Sequence, residues 1–275
     1  MQASHADTAK HDGERGQVSA TAAEIYDRFF LPALFARWAD TVANAASIKP
    51  GDRVLDVACG TGILTLAAAR RAGVSGKATG LDRNPDMLAQ ARAKSNAIDW
   101  QEAMAEALTF ADGTFDAVVS QFGLMFFEDR QKALEEMQRV AKPGGRIAVA
   151  VWAGFDQTPG YAAMAALLER LFGAEMASAL HAPYRLGDIA ALEAMFAAAG
   201  LDGAEVRLVE GEAEFPSIAE WVHTDIKGWS LADVIDDDQY ALLQSEAAGE
   251  LAGFTDAEGR VRFRHPAIIV RATAN

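Results

Sequence analysis

The chain has 275 residues, 51% of them hydrophobic, with 25 basic and 39 acidic side chains for a formal net charge of −14. That length and composition allow one substantial core with an elaboration, and no apolar run reaches the ~18 residues needed to span a bilayer. The acidic balance, without a basic stripe anywhere, argues against a nucleic-acid partner, and the single cysteine, Cys59, excludes an intramolecular disulfide and suits a reducing cytoplasm.

Residues 1–20 are polar and mixed in charge, with no apolar stretch of the signal-peptide kind, and read as a disordered tail. Residues 21–275 read as one domain. Over 21–48, Ile25, Phe29, Phe30, Leu34, Phe35, Trp38 and Val42 recur at helical spacing interrupted at Pro32, which predicts a pair of leading helices. Lys49 to Asp52 then turn into a short apolar run, Val54, Leu55 and Val57, suited to a strand covered on both faces. A small-residue turn follows through Gly62, and a helix from Ile63 closes at Gly73.

The next strand, Lys77 to Leu81, ends at Asp82, and the alternation continues with a helix over Pro85 to Lys94 and strands near Ile98 to Glu102 and Phe115 to Ser120. Asp129 is placed to cap a helix carrying Leu134, Met137 and Val140, after which Pro143-Gly144-Gly145 turns into a strand over Ile147 to Trp152. A helix past Pro159, another from Asp188 to Ala199, and strands over Ala204 to Val209 and Val261 to Ala272 complete the pattern, the last two as an antiparallel hairpin. Repeated strand and helix units with short links predict a doubly wound, mostly parallel α/β sheet. Between the last two strands lies a helical insert, about 211–258; from Glu210 to Glu258 there are thirteen acids against Lys227 alone. As a lid it would draw in a cationic substrate; as a solvated helical face it would serve solubility.

The acid inside the first turn selects the ligand. A dinucleotide would lay a pyrophosphate over the bare amides of this loop, where Asp56 would repel it. S-adenosylmethionine carries no phosphate and brings a sulfonium and an ammonium, which a carboxylate attracts. Asp82, ending the adjacent strand, is placed to accept hydrogen bonds from two ribose hydroxyls.

The runs Val54 to Thr65, Gly80 to Leu88, Ala105 to Phe110, Phe115 to Ser120 and Arg139 to Arg146 together resemble class I S-adenosylmethionine-dependent methyltransferases, nearest to the group containing ubiquinone/menaquinone-biosynthesis enzymes. The resemblance implies a Rossmann-like methyltransferase fold with a seven-stranded sheet, S-adenosylmethionine as cofactor, S-adenosylhomocysteine as product and a small-molecule acceptor. It implies that Asp56 holds the methionine ammonium while Ala58, Gly60, Thr61 and Gly62 form the turn. Asp82 takes the ribose, Arg83 and Met87 pack near the adenine, Ala105 offers it a backbone amide with Glu106 beside it, and Gln121 lies near the methyl-transfer site. Two positions depart from the pattern: Ala58 stands where the turn often begins with glycine, and Met104 where many relatives carry an aspartate.

Methyl transfer from a sulfonium needs alignment more than a base, and no catalytic residue is assigned. Tyr26, Trp38, Phe122, His181, Tyr184 and His223 are the candidates for touching the acceptor, each set against a role in packing. The five histidines and one cysteine show no metal-ligand spacing, so no metal is implied. Two other readings stand beside methyl transfer. A nicotinamide-dependent oxidoreductase would use the Gly60-Thr61-Gly62 turn and Asp82, although Thr65 replaces the third glycine; a binding protein that kept the fold and lost catalysis is the other.

Overall fold

The structure, a computed structural model, describes residues 20–228, 231–232 and 234–275. Apart from Ala20, the polar tail expected over residues 1–20 lies outside the described residues, as does Asp233 of the acidic insert. The strands in chain order are β1 (Arg53–Val57), β2 (Lys77–Asp82), β3 (Asp99–Glu102), β4 (Phe115–Gln121), β5 (Ala141–Trp152), β6 (Glu205–Val209), β7 (Glu212–Phe215), β8 (Val261–Arg264) and β9 (Ala267–Thr273). Seven of them form one sheet in the order β3-β2-β1-β4-β5-β9-β6. The pairs among β1 to β5 are parallel, and β9 runs antiparallel to both β5 and β6.

The chain divides into two compact units, the first comprising residues 36–152, 186–209 and 267–275. It contains the whole seven-stranded sheet. Val54, Leu55 and Val57 of β1 and Ala117, Val118 and Val119 of β4 are fully buried, as expected of central strands covered on both faces. The helix Ile63–Ala72 starts after Gly62 and buries Leu64, Ala67 and Ala68. Asn84 caps the helix Pro85–Lys94 by accepting from the Asp86 and Met87 amides, with Pro85 at the first helical position. Asp129 does the same for the helix Arg130–Val140, which buries Leu134, Met137 and Val140.

The second unit is built from the described residues up to Phe35 and those within 153–185 and 210–266. It holds the helices Pro159–Phe172, Ile218–Lys227 and Asp237–Glu250 and a separate two-stranded sheet, β7 with β8. Three sequence expectations are revised. The run Val261 to Ala272 is two strands, because Pro266 has no N–H for a ladder and restricts His265 before it; β8 pairs with β7 and only β9 enters the main sheet with β6. The insert read as helical opens with a strand, consistent with the polar-apolar alternation of Glu212, Ala213, Glu214 and Phe215. Around Pro32 the leading segment widens into a π-helical stretch, Tyr26–Phe35, between the helices Ala20–Ile25 and Trp38–Ala45.

Much of the insert's acidity is paired with arginines from outside it. Glu210 bonds Arg264, Glu214 meets Arg262, and Glu246 and Glu250 share Arg170. Asp237 and Asp238 sit in the first turn of their helix, where the dipole favours negative charge. Among the described residues no helix is long and apolar enough to cross a membrane.

Candidate functional site

β1 and β2 are parallel neighbours, so Asp56 and Asp82 reach the same end of the sheet, the end at which open α/β sheets bind ligands. Asp56 is 1% exposed and Asp82 8%. The Thr65 hydroxyl donates to Asp56 Oδ2 at 2.6 Å, whereas Oδ1 is buried and receives no hydrogen bond among the described residues. Burial pushes the Asp56 carboxyl up to about 7; the Thr65 bond opposes that shift and the nearby Asp82 charge adds to it. Asp82 Oδ2 accepts from the Gly60 amide at 2.8 Å and Oδ1 from the Asn84 amide at 2.9 Å. Desolvation raises its pKa as well, against those backbone bonds.

The turn between them is strained where the sequence departs from glycine. Ala58 adopts φ 58°, a left-handed conformation that costs a side-chain-bearing residue about 1–2 kcal/mol. Phe122, just past β4, does likewise at φ 57°. The two loops interlock: a Cβ at Gly123 would come within 2.6 Å of Ala58 Cβ. Non-glycine residues held in this region mark sites where the surroundings over-determine the backbone.

The glycines of the turn have different jobs. A Cβ built on Gly60 would meet nothing within 4 Å, so this backbone is open to a ligand. At Gly62 it would strike the Trp100 ring at 2.4 Å, and at Gly80 the same ring at 2.4 Å. Those two positions are bare to admit an indole. Trp100 on β3 fills the space beside both, with its Nε1 donating to the Ser95 carbonyl. Lys94 pins the turn from outside by donating to the Thr61 carbonyl and hydroxyl. Cys59 is buried, and desolvation holds its thiol well above the usual range, which fits a packing role.

Among the other expected cofactor residues, Met87 is buried in the helix following Asp82 and Arg83 pairs with Glu128 at 3.5 Å. Ala105 is buried in a turn, and Gln121 closes β4 opposite Ala150. Glu106 serves the backbone: its Oε1 accepts from the Glu128 amide at 2.9 Å, tying this loop to the start of the next helix.

The acceptor candidates fall into separate groups. Trp38 and Phe122 meet in the sheet unit with ring centroids 6.0 Å apart, and Phe122 stacks on Trp152 at 3.7 Å. In the second unit Tyr26 stacks on Phe35, His181 lies on Phe155 at 3.9 Å, and His223 Nδ1 meets the Tyr240 hydroxyl at 3.1 Å. Tyr184 joins His265, its hydroxyl 2.8 Å from Nε2, with both residues buried. Sequence reasoning passed over His265, Tyr161 and Asp225. The partners lie 64 or more positions apart in the chain, and no local spacing signals them.

A parallel sheet wound as β3-β2-β1-β4-β5, extended by the antiparallel β9 and ending in β6, with paired acids over a glycine turn, is the Rossmann-like methyltransferase fold. Known proteins agree. Residues 29–161, just under half of the chain, match the ubiE/COQ5 methyltransferase family. The ubiquinone/menaquinone biosynthesis C-methyltransferase of Cronobacter sakazakii is 36% identical over 151 residues, 53% of this chain and 55% of the relative. An uncharacterized protein of Mycobacterium tuberculosis is 46% identical over 112 residues, 39% of this chain and 40% of the relative. The chain thus spans about half the length of these curated relatives or less. Phosphoethanolamine N-methyltransferase 2 of Haemonchus contortus, solved with S-adenosyl-L-methionine, superposes with a TM-score of 0.60 at 19% identity, covering 96% of this chain and 59% of that one. The resemblance first carried by the five sequence motifs is therefore borne out, in sequence over residues 29–161 and in fold over nearly the whole chain.

Proposed function

We propose that this chain transfers a methyl group from S-adenosylmethionine to a small organic acceptor, leaving S-adenosylhomocysteine. The observation that carries the reading is the pair Asp56 and Asp82, two buried carboxylates beside the bare backbone of Gly60, whose amide Asp82 holds and whose Cβ side is open. Such a pair raises the cost of any anion and favours a cationic, phosphate-free ligand. The orphaned Oδ1 of Asp56 supplies an acceptor for an ammonium, and the remaining lone pairs of Asp82 can accept from ribose hydroxyls.

When bound, the cofactor supplies an electrophilic methyl carbon on a positive sulfur. In this reading Asp56 holds the positive methionyl end, and Ala58, Gly60, Thr61 and Gly62 shape the loop under it. Asp82 orients the ribose, while Arg83, Met87 and Ala105 enclose the base and Gln121 borders the reacting end. Glu106 keeps the adenine-side loop in place through its bond to the Glu128 amide. The cytoplasm is the compartment this reading suits.

Calorimetric titration tests the assignment. S-adenosylmethionine and S-adenosylhomocysteine should both bind, and NAD should give no heat. Heat with NAD and none with the sulfonium nucleoside would replace methyl transfer by nicotinamide chemistry.

A further inference from the structure

The second unit contains a buried carboxylate that no cation among the described residues neutralises. Asp225, on the helix Ile218–Lys227, is 3% exposed. Tyr161 donates its hydroxyl to Oδ1 at 3.2 Å and the Trp221 side chain bears on the carboxyl as a second, looser donor, while buried Oδ2 has no partner within hydrogen-bond geometry among the described residues. No described lysine or arginine forms an ion pair with it. Lys227, on the same helix, turns instead to Asp237 and the Tyr240 ring.

Around this carboxylate stands a wall of aromatic side chains. Trp221, one helical turn before Asp225, crosses Tyr161 at 6.1 Å and Phe263 at 4.7 Å, and Tyr161 lies 5.9 Å from Tyr184. The titratable groups facing Asp225 are the two tyrosines and, beyond them, His265, 5.3 Å from the Tyr161 ring. Leaving an acid unpaired among rings is costly. The same combination is the recognition chemistry of an organic cation, with a carboxylate for the charge and π-systems for the body.

We propose that Asp225, with Tyr161, Trp221 and Tyr184 around it, is a binding site for a small organic ammonium ion. This site goes beyond the methyl-transfer reading and does not rest on it. Burial pushes the Asp225 carboxyl up to about 7. An arriving ammonium therefore pairs with the ionised form, and the site is weakened by acid. Between pH 8 and pH 6 the ionised fraction of such a group falls about tenfold, and affinity falls with it.

The test compares tert-butylammonium with tert-butanol, which match in shape and differ in charge, by NMR titration of the full chain observed at the Trp221 indole N–H. The cation should bind with a Kd on the order of millimolar at pH 8, about tenfold more weakly at pH 6, and tert-butanol should leave the resonance in place. Asp225→Asn, nearly isosteric with the protonated acid, should abolish the response while keeping the wild-type circular dichroism. Equal shifts with tert-butanol would overturn the proposal, as would undiminished cation binding by Asp225→Asn. So would an unmoved indole resonance up to on the order of 100 mM cation. The two ligands are compared on the wild-type chain, so a substitution that misfolds does not shield the proposal from refutation. Calorimetric binding of S-adenosylmethionine, measured separately, shows whether the methyltransferase reading stands or falls on its own.

Discussion

The Thr65 hydroxyl donates to one oxygen of Asp56 across 2.6 Å, and the other oxygen of the same buried carboxylate has no hydrogen-bond partner among the described residues. Thr65 stands where a dinucleotide fingerprint would have its third glycine. It holds the acid that a pyrophosphate would have to meet, so the departure from one motif supports the other.

Asp56→Asn should weaken S-adenosylmethionine binding by about 1.5–3 kcal/mol, the range for losing a charge-assisted bond. The folded carboxyl sits near 7 against a reference of 3.8. From about pH 4 to 7 the unfolded chain gives up this proton while the folded chain keeps it, so this group's contribution to stability falls as pH rises through that window. A bound cation reverses the preference. Calorimetry at pH 8 and pH 6 should find wild-type affinity about tenfold weaker at the lower pH, with Asp56→Asn showing a flat profile; a flat wild-type profile would refute the role given to Asp56.

Asp82 faces two demands at once. Its oxygens hold the Gly60 and Asn84 amides, and the proposed ribose contacts use what acceptor capacity is left. Asp82→Asn keeps one acceptor oxygen, replaces the other by a donor amide and removes the charge. The variant should lose about 1–3 kcal/mol of stability through the turn and bind S-adenosylmethionine about ten-fold or more weakly. Denaturant titration reads the first and calorimetry the second; unchanged values of both would remove Asp82 from the site.

How far the sequence was legible follows from how local each signal is. The parallel core, the capped helix after Asp129 and the two strand-end acids were readable because Val54 to Gly62 and Asp129 carry their structure within a few residues. The junction at His265-Pro266 was also written locally, yet the apolar run on both sides masked it. Trp100 against Gly62 and Gly80 was not legible, since bare backbone looks the same whether a ligand or an indole fills it. Nor was the Asp225 cluster, whose members come from separate stretches between Tyr161 and His265 and carry no periodicity of their own.

Trp100 gives that point a direct measurement. Gly80 has no unusual φ, so Gly80→Ala acts through volume alone, and its Cβ would overlap the indole at 2.4 Å and approach Cys59 Sγ at 3.0 Å. Overpacking of this kind costs about 1–3 kcal/mol. Trp100→Leu opens the space, and the double variant should recover part of the loss, giving a coupling of about 1 kcal/mol or more in a thermodynamic cycle. Strict additivity would show that the ring does not rest on this glycine.

Glu136 ties the loop that follows Ala105 to the helix Arg130–Val140. Its Oε2 accepts from the Leu108 amide at 2.9 Å and from Arg139 at 2.7 Å, and the same arginine reaches the Leu108 and Phe110 carbonyls. The guanidinium bond holds the Glu136 carboxyl below its usual range. A depressed acid contributes stability that is present above its unfolded pKa near 4.5 and is lost as pH falls through the folded value. Glu136→Gln should therefore destabilise the fold by about 1.5–3 kcal/mol at pH 7. The gap to wild type should narrow as pH drops below 4.5, because protonation removes from the wild type what the substitution has already removed. Urea denaturation at about pH 7 and about pH 3.5 measures both values, and a gap that stays constant would show that the ionised form carries no part of the clamp.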